Sequence, residues 1–118
     1  MNVDRLLHLV KILRAVDADE EKSARFDMDA WFTDCGTASC AAGFACEDPE
    51  FQAAGLSRCN LGECPQFDGK LTFEALSKFF EIESEFIFDP NYYNIKENHI
   101  KPRDVIDRIM DLIGDQDD

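Results

Sequence analysis

The stretch from Cys35 to Cys46, CGTASCAAGFAC, decides the fold of this 118-residue chain. Most of its residues have very small side chains, so another element can approach the backbone closely, and Phe44 is the one large anchor. A Thr37 hydroxyl can satisfy an orphan backbone N–H at a helix start, and Asp48-Pro49 disfavours continuation of a helix. We therefore predict a central, buried helix over residues 38–46, capped by Thr37.

Three further helices are predicted from the spacing of apolar residues, over residues 3–16, 72–80 and 102–113. Pro102 opens the last of them at a position where its missing N–H has no cost. Gly114 is expected to end that helix, which leaves residues 115–118 as a frayed tail.

A small β-hairpin is predicted over residues 55–68, GLSRCNLGECPQFD. NLGE would be its loop, because Gly62 can take a positive φ. With the four helices, this gives a mainly α, compact helical domain of about four main helices and one hairpin. At this length the whole chain, residues 1–118, is expected to form one domain.

The charge of the chain is strongly acidic. Twenty-five Asp and Glu residues oppose twelve Lys and Arg, for a net charge of −13. Such a protein repels nucleic acid unless it hides a basic patch, and the sequence contains no basic run. We therefore expect no direct nucleic acid binding, and a protein partner with a basic surface. The alternative is that the charge serves solubility alone.

Six carboxylates are the candidate partner-binding residues. Three fall close together between two predicted helices, and three recur at helical spacing on one face of the last helix. They are Glu81, Glu83, Glu85, Asp104, Asp107 and Asp111. A solvated helix face would show the same pattern.

The N-terminal region does not resemble a signal peptide, because Lys11 and Arg14 interrupt its apolar run. No stretch approaches the roughly 20 apolar residues of a membrane span. We therefore expect a cytoplasmic protein without membrane contact, whose cysteines stay reduced. His8 falls on the polar face of the first helix and is predicted to be solvated.

The five cysteines allow several interpretations. Cys40 and Cys46 can be core residues, because cysteine is small and often buried. Cys35, Cys40, Cys59 and Cys64 form two pairs with four-residue gaps, which is at the upper edge of the spacing for structural zinc. A disulfide between Cys59 and Cys64 across the hairpin is a further alternative. No cofactor is favoured, and zinc is the alternative.

A cysteine-dependent enzyme is the least supported interpretation. Cys35 would precede a helix N-terminus, where the helix dipole lowers the pKa of a thiol, and His99 is the candidate base. The sequence contains no glycine-rich phosphate loop, no HExxH and no EF-hand. We therefore expect binding and not catalysis, with no catalytic residue favoured.

An aromatic cluster lies between the predicted helices at residues 72–80 and 102–113. It comprises Phe86, Ile87, Phe88, Tyr92 and Tyr93. Such a cluster is either part of the core or part of a partner-binding surface, and the sequence leaves both possibilities open.

Residues 26–45, FDMDAWFTDCGTASCAAGFA, resemble a family of small uncharacterised proteins of phages and bacteria. The family pattern is roughly Asn-Met, a Trp, then Cys-Gly-Thr-x-x-Cys-x-Ala-Gly-(Trp/Phe)-Ala, with Asp27 standing here where Asn is usual. The matching residues are Met28, Trp31, Cys35, Gly36, Thr37, Cys40, Ala42, Gly43, Phe44 and Ala45. Downstream, ALSKFFEIE, FDP and KPRDVIDRI are similar to the second half of the family, with Lys101 in place of a capping Thr.

The resemblance implies a mostly helical fold and a phage, mobile-element or bacterial context. Together with the charge, it suggests a non-enzymatic acidic inhibitor or adaptor. Such a protein would dock on a basic protein surface of a host defence or DNA-handling system. The alternatives are a small structural-zinc protein, or a hydrolase that uses Cys35 and His99.

Overall fold

The structure, a computed structural model, describes residues 1–24, 26, 28, 40–58, 64–89, 92–93 and 100–116. These residues contain seven helices and three short strands. In chain order they are α1 (Val3–Ala18), α2 (Glu20–Ala24), α3 (Ala41–Glu47), α4 (Pro49–Ala53), β1 (Ser57–Arg58), β2 (Pro65–Phe67), β3 (Lys70–Leu71), α5 (Thr72–Phe80), α6 (Glu85–Phe88) and α7 (Pro102–Gln116). The predicted mainly α class is confirmed.

The first and last long helices pack against each other and carry much of the core. Leu6, Leu9 and Leu13 of α1 are fully buried, as are Val105 and Ile109 of α7. Asn2 caps α1, because its side-chain oxygen accepts a hydrogen bond from the backbone N–H of Arg5. The helix predicted over residues 3–16 is therefore confirmed, with two more residues at its C-terminal end.

Helix α3 is the buried centre that the small-residue run predicted. Every residue from Ala41 to Cys46 is buried. The N-cap, however, is Cys40, whose Sγ accepts a hydrogen bond from the N–H of Gly43 at 3.4 Å. The predicted start at residue 38 is therefore three residues too early, and Thr37 lies outside the described residues.

Asp48 ends α3 and begins α4, a helix that the sequence analysis missed. Its Oδ2 accepts a hydrogen bond from the N–H of Phe51 at 3.1 Å, and Pro49 follows at the first helical position. The Asp-Pro pair that stops one helix is thus also a start signal for the next. Phe51, on α4, is almost completely buried.

The predicted hairpin is present, and a third strand extends it. Antiparallel pairing of β1 with β2 aligns Ser57 with Gln66, and β3 pairs with the other edge of β2. The turn between β2 and β3 uses Asp68 and Gly69, both at positive φ, as a tight hairpin requires. The predicted loop NLGE, residues 60–63, lies outside the described residues, which resume at Cys64.

The predicted C-terminal end of the last helix is wrong. Helix α7 continues through Gly114 to Gln116. Gly114 therefore does not end the helix, and residues 115–116 are not a frayed tail. A glycine inside a helix costs only about 1 kcal/mol relative to alanine, and packing of the preceding turns against α1 offsets that cost. No helix was predicted between residues 16 and 38, but α1 reaches Ala18 and the short helix α2 follows.

One connected cluster of buried residues draws on α1, α3–α7 and the segments between them within the described ranges. The radius of gyration is 13.1 Å, close to the value expected for a compact domain of about 100 residues. No helix within the described ranges is long and apolar enough to cross a membrane.

Candidate partner-binding surface

Three of the five cysteines lie within the described residues. Cys40 and Cys46 are almost completely buried at the two ends of α3, as the core-packing interpretation expects. Cys64 is half-buried just before β2. Cys35 and Cys59 lie outside the described residues, so the four-cysteine zinc site and the Cys59–Cys64 disulfide remain predictions.

Cys46 has the properties of an inert core thiol. Burial, together with the nearby Cys40 thiol, raises its pKa to about 12. Its Sγ donates a hydrogen bond to the carbonyl oxygen of Ser57 at 3.6 Å, which joins α3 to β1. Within the ranges that the structure describes, no three Cys, His, Asp or Glu side chains converge on a point that could hold a metal ion.

Cys35 and His99, the candidate catalytic pair, both lie outside the described residues, so this pair remains a prediction. The other histidine, His8, is not the solvated residue that the sequence predicted. Its Nε2 lies 2.8 Å from Asp48 Oδ2 and its Nδ1 lies 3.0 Å from Glu50 Oε2. The ring packs edge-on against Phe51, and only 21% of the side chain is exposed.

This arrangement makes His8 a link between α1 and α4. A neutral imidazole has one N–H and can donate to only one of the two carboxylates, whereas an imidazolium can donate to both. Asp48 is at the same time the N-cap of α4. The geometry explains how the two helices are held together, and it contains no adjacent nucleophile among the described side chains.

The six candidate carboxylates occupy two neighbouring regions. Glu81 is the C-cap residue directly after α5, in the left-handed conformation, and its Oε2 accepts a hydrogen bond from the Asn2 side chain. Glu83 is exposed, and Glu85 opens α6.

The other three lie on α7, which packs against α6. Asp104 is half-buried in the first turn, where its Oδ2 accepts a hydrogen bond from the N–H of Lys101 at 2.7 Å. Asp107 and Asp111 are exposed. In the part of the chain that the structure describes, none of the six carboxylates forms a salt bridge.

The aromatic cluster divides between the two possibilities left open by the sequence. Ile87, Phe88 and Tyr93 belong to the core, and burial raises the pKa of the Tyr93 phenol, which donates a hydrogen bond to the carbonyl oxygen of Ile87. Phe86 and Tyr92 are instead 42% and 49% exposed. Their rings meet edge to face with centroids 5.2 Å apart. We call these two residues the aromatic pair.

Arg108 of α7 holds the aromatic pair in place. Its two terminal nitrogens donate hydrogen bonds to the carbonyl oxygens of Phe86, at 2.6 Å, and Tyr92, at 2.9 Å. The guanidinium also lies over the Tyr93 ring, 4.3 Å from its centroid. One planar group thus fixes the backbone of both exposed aromatic residues, a geometry that suits arginine and not lysine.

Carboxylates of α7 lie on the side of that helix that adjoins the aromatic pair. Residues three and four apart share one side of a helix, so Asp104 and Asp111 lie on the same side of α7 as Arg108. Arg108 itself contacts α6, so this side of α7 adjoins the aromatic pair. The surface formed by the aromatic pair and the α7 carboxylates Asp104, Asp107 and Asp111 is named the α6–α7 surface below. Glu81 contacts Asn2 instead, and Glu85 lines a groove with Lys70 and Lys78. The role of Arg108 was missed, because no local pattern reveals a contact across 16 to 22 residues.

Comparison with known proteins adds no relative: no protein-family model, curated protein or solved structure matches this chain.

Proposed function

We propose that the protein is a non-enzymatic interaction protein whose α6–α7 surface docks on a basic surface of a partner protein. The observation that carries this proposal is the juxtaposition of an exposed, arginine-braced aromatic pair with carboxylates that have no salt bridge among the described residues.

The aromatic pair supports a binding role because both rings remain partly exposed, and burial against a partner would add hydrophobic stabilisation that the fold alone does not provide. Rings that stay about half exposed lose part of the roughly 1.5–3 kcal/mol that full burial of a large apolar side chain contributes. Interface hot spots are enriched in aromatic residues that are already rigid before binding. Phe86 and Tyr92 fit that description, since Arg108 fixes their backbone and each ring limits the movement of the other.

The carboxylates support a basic partner. Charges around the rim of an interface accelerate association and exclude partners of like charge more than they add affinity. Arg108, the cation that braces the aromatic pair, is already engaged by two carbonyl groups. The surface therefore presents net negative charge around an apolar centre, which complements a groove lined by Lys or Arg.

The finer part of the proposal concerns the class of partner. Carboxylates spaced along a rigid helix can occupy positions that phosphates take in a nucleic-acid groove. The net charge of −13 and the resemblance to phage and bacterial proteins favour a host defence or DNA-handling protein as the target. The protein would then act as an inhibitor or adaptor that competes with nucleic acid.

The test is quantitative capture of host proteins by three immobilised forms of the full chain. The wild type is compared with Asp104→Lys/Asp107→Lys and with a matched control, Asp17→Lys/Glu20→Lys, which changes the net charge equally at exposed positions of α1 and α2. A partner of the α6–α7 surface is retained by the wild type and the control and lost from the α7 variant.

The same partner should be lost from Phe86→Ala/Tyr92→Ala at all salt concentrations. It should also be released from the wild type between 0.1 M and 1 M salt, because the Debye length falls from about 10 Å to about 3 Å. Equal retention by the α7 variant and the control would refute the assignment of the surface. If the captured protein binds nucleic acid, displacement of a labelled oligonucleotide tests the finer proposal.

A further inference from the structure

A groove lined by residues from the N-terminal half of the chain has no role in the proposed function. It has a volume of about 440 Å³ and is formed by α1, α2, α3 and the start of α4. That volume is within the roughly 300–1,000 Å³ of ordinary ligand pockets. The floor is apolar and includes Ile12 and Val16 of α1 and Phe44 of α3.

The groove is elongated along α1. His8 and Val16 both line it, and eight residues of helix span about 12 Å. Ile12 and Val16 are one turn apart on the same face, so the apolar floor is a strip and not a round cavity. A strip of this kind fits a linear chain better than a compact ring system.

Two lysines, Lys11 and Lys22, line the groove, although the protein as a whole is acidic. They are two of the five lysines in the described residues, and neither forms a salt bridge there. The two carboxylates at the groove are already engaged. Asp48 contacts His8 and caps α4, and Glu47 has an interaction of its own.

We propose that this groove binds a linear alkyl carboxylate. The carboxylate group lies between the ammonium groups of Lys11 and Lys22, and the alkyl chain lies along the strip formed by Ile12 and Val16. The nearby Glu47 disfavours ligands with several negative charges, which is why a monoanion is assigned. Burial of the alkyl chain supplies most of the affinity, since exposed ion pairs contribute little.

The test uses decanoate, below its micellar concentration, as the probe. Isothermal titration calorimetry is expected to give one site per chain. Amide shifts in ¹H–¹⁵N correlation spectra are expected to cluster at α1 and α3 and to spare α6. Decyltrimethylammonium, with the same chain and the opposite charge, is expected not to reproduce these shifts.

Two sets of variants complete the test. Lys11→Met/Lys22→Met should weaken decanoate binding by roughly threefold to tenfold, whereas Lys70→Met/Lys101→Met, with the same change in charge elsewhere on the surface, should not. Ala15→Trp, at an exposed position lining the groove, should block it. Equal binding by the two lysine variants, or equal shifts with the cationic probe, would overturn the proposal.

Discussion

Replacement of Arg108 by Met should destabilise the protein through the loss of one guanidinium. The Met side chain keeps an apolar stem of similar length, so the apolar packing changes little. What disappears is the pair of hydrogen bonds to the carbonyl oxygens of Phe86 and Tyr92, together with the contact over the Tyr93 ring.

The size of the effect follows from these three contacts. Hydrogen bonds that involve a charged group contribute about 1.5–3 kcal/mol each when buried, but these two are exposed to solvent. We therefore assign about 0.5–1 kcal/mol to each, by discounting for competition with water. The cation–π contact adds about 0.5–1 kcal/mol. The free energy of unfolding should fall by about 1.5–3 kcal/mol, which lowers Tm by roughly 5–15 °C.

Urea and thermal unfolding followed by circular dichroism measure this change. Arg103→Met is the matched control, since Arg103 is an exposed arginine on the same helix and its replacement removes the same charge. Arg108→Lys should recover less than half of the loss, because one ammonium cannot reproduce the planar fork. If Arg108→Met and Arg103→Met unfold at the same urea concentration, the guanidinium does not brace the aromatic pair and the reasoning fails.

Three further predictions concern the core. Gly43→Leu should overpack α3 and cost on the order of 1–3 kcal/mol or more; a Tm within a degree or two of the parent would show that α3 is not the packed centre. Ser84→Ala should lower the free energy of unfolding by about 1–3 kcal/mol. Ser84 is fully buried, and its hydroxyl forms hydrogen bonds with the Phe73 carbonyl oxygen at 2.7 Å and with Ser77 Oγ at 2.9 Å. Urea unfolding measures the change, and an unchanged midpoint would contradict these contacts. Cys46, with its pKa raised to about 12, should be alkylated by iodoacetamide at pH 8 only as fast as the protein opens, as peptide mass spectrometry can follow. Fast labelling in the native state would contradict burial of the thiol. Because the pKa of Cys46 in the folded protein exceeds the ordinary value near 9, burial of the neutral thiol contributes fully to stability below pH 9. That contribution is lost as the pH rises towards 12.

The sequence alone determined the helical class and the buried centre of this protein. Apolar residues at helical spacing define a core face whatever packs against it, so α1, α5 and α7 were predicted close to their observed bounds. The run from Ala41 to Cys46 has too little side-chain bulk for any position except a close helix contact. The hairpin was predicted for a similar local reason, since its turn signals lie between short apolar segments.

Tertiary structure decided which polar and aromatic residues became structural and which stayed available to a partner. His8 falls on the polar face of α1 by periodicity, yet α4 brings two carboxylates and Phe51 to its ring. Met110 is one of the apolar residues in the helix predicted over residues 102–113, yet it is 41% exposed, because nothing in the described part of the chain covers that flank.

In the aromatic cluster, too, tertiary structure decides which side chains are buried and which stay exposed. Its local pattern cannot separate Phe86 from Phe88, since both are apolar residues on one short helix. Only the position of α7, and of Arg108 upon it, buries one ring and leaves the other exposed beside Tyr92. Local patterns specify which elements form, whereas exposure depends on contacts between residues far apart in the chain, and those contacts exist only after the elements have packed.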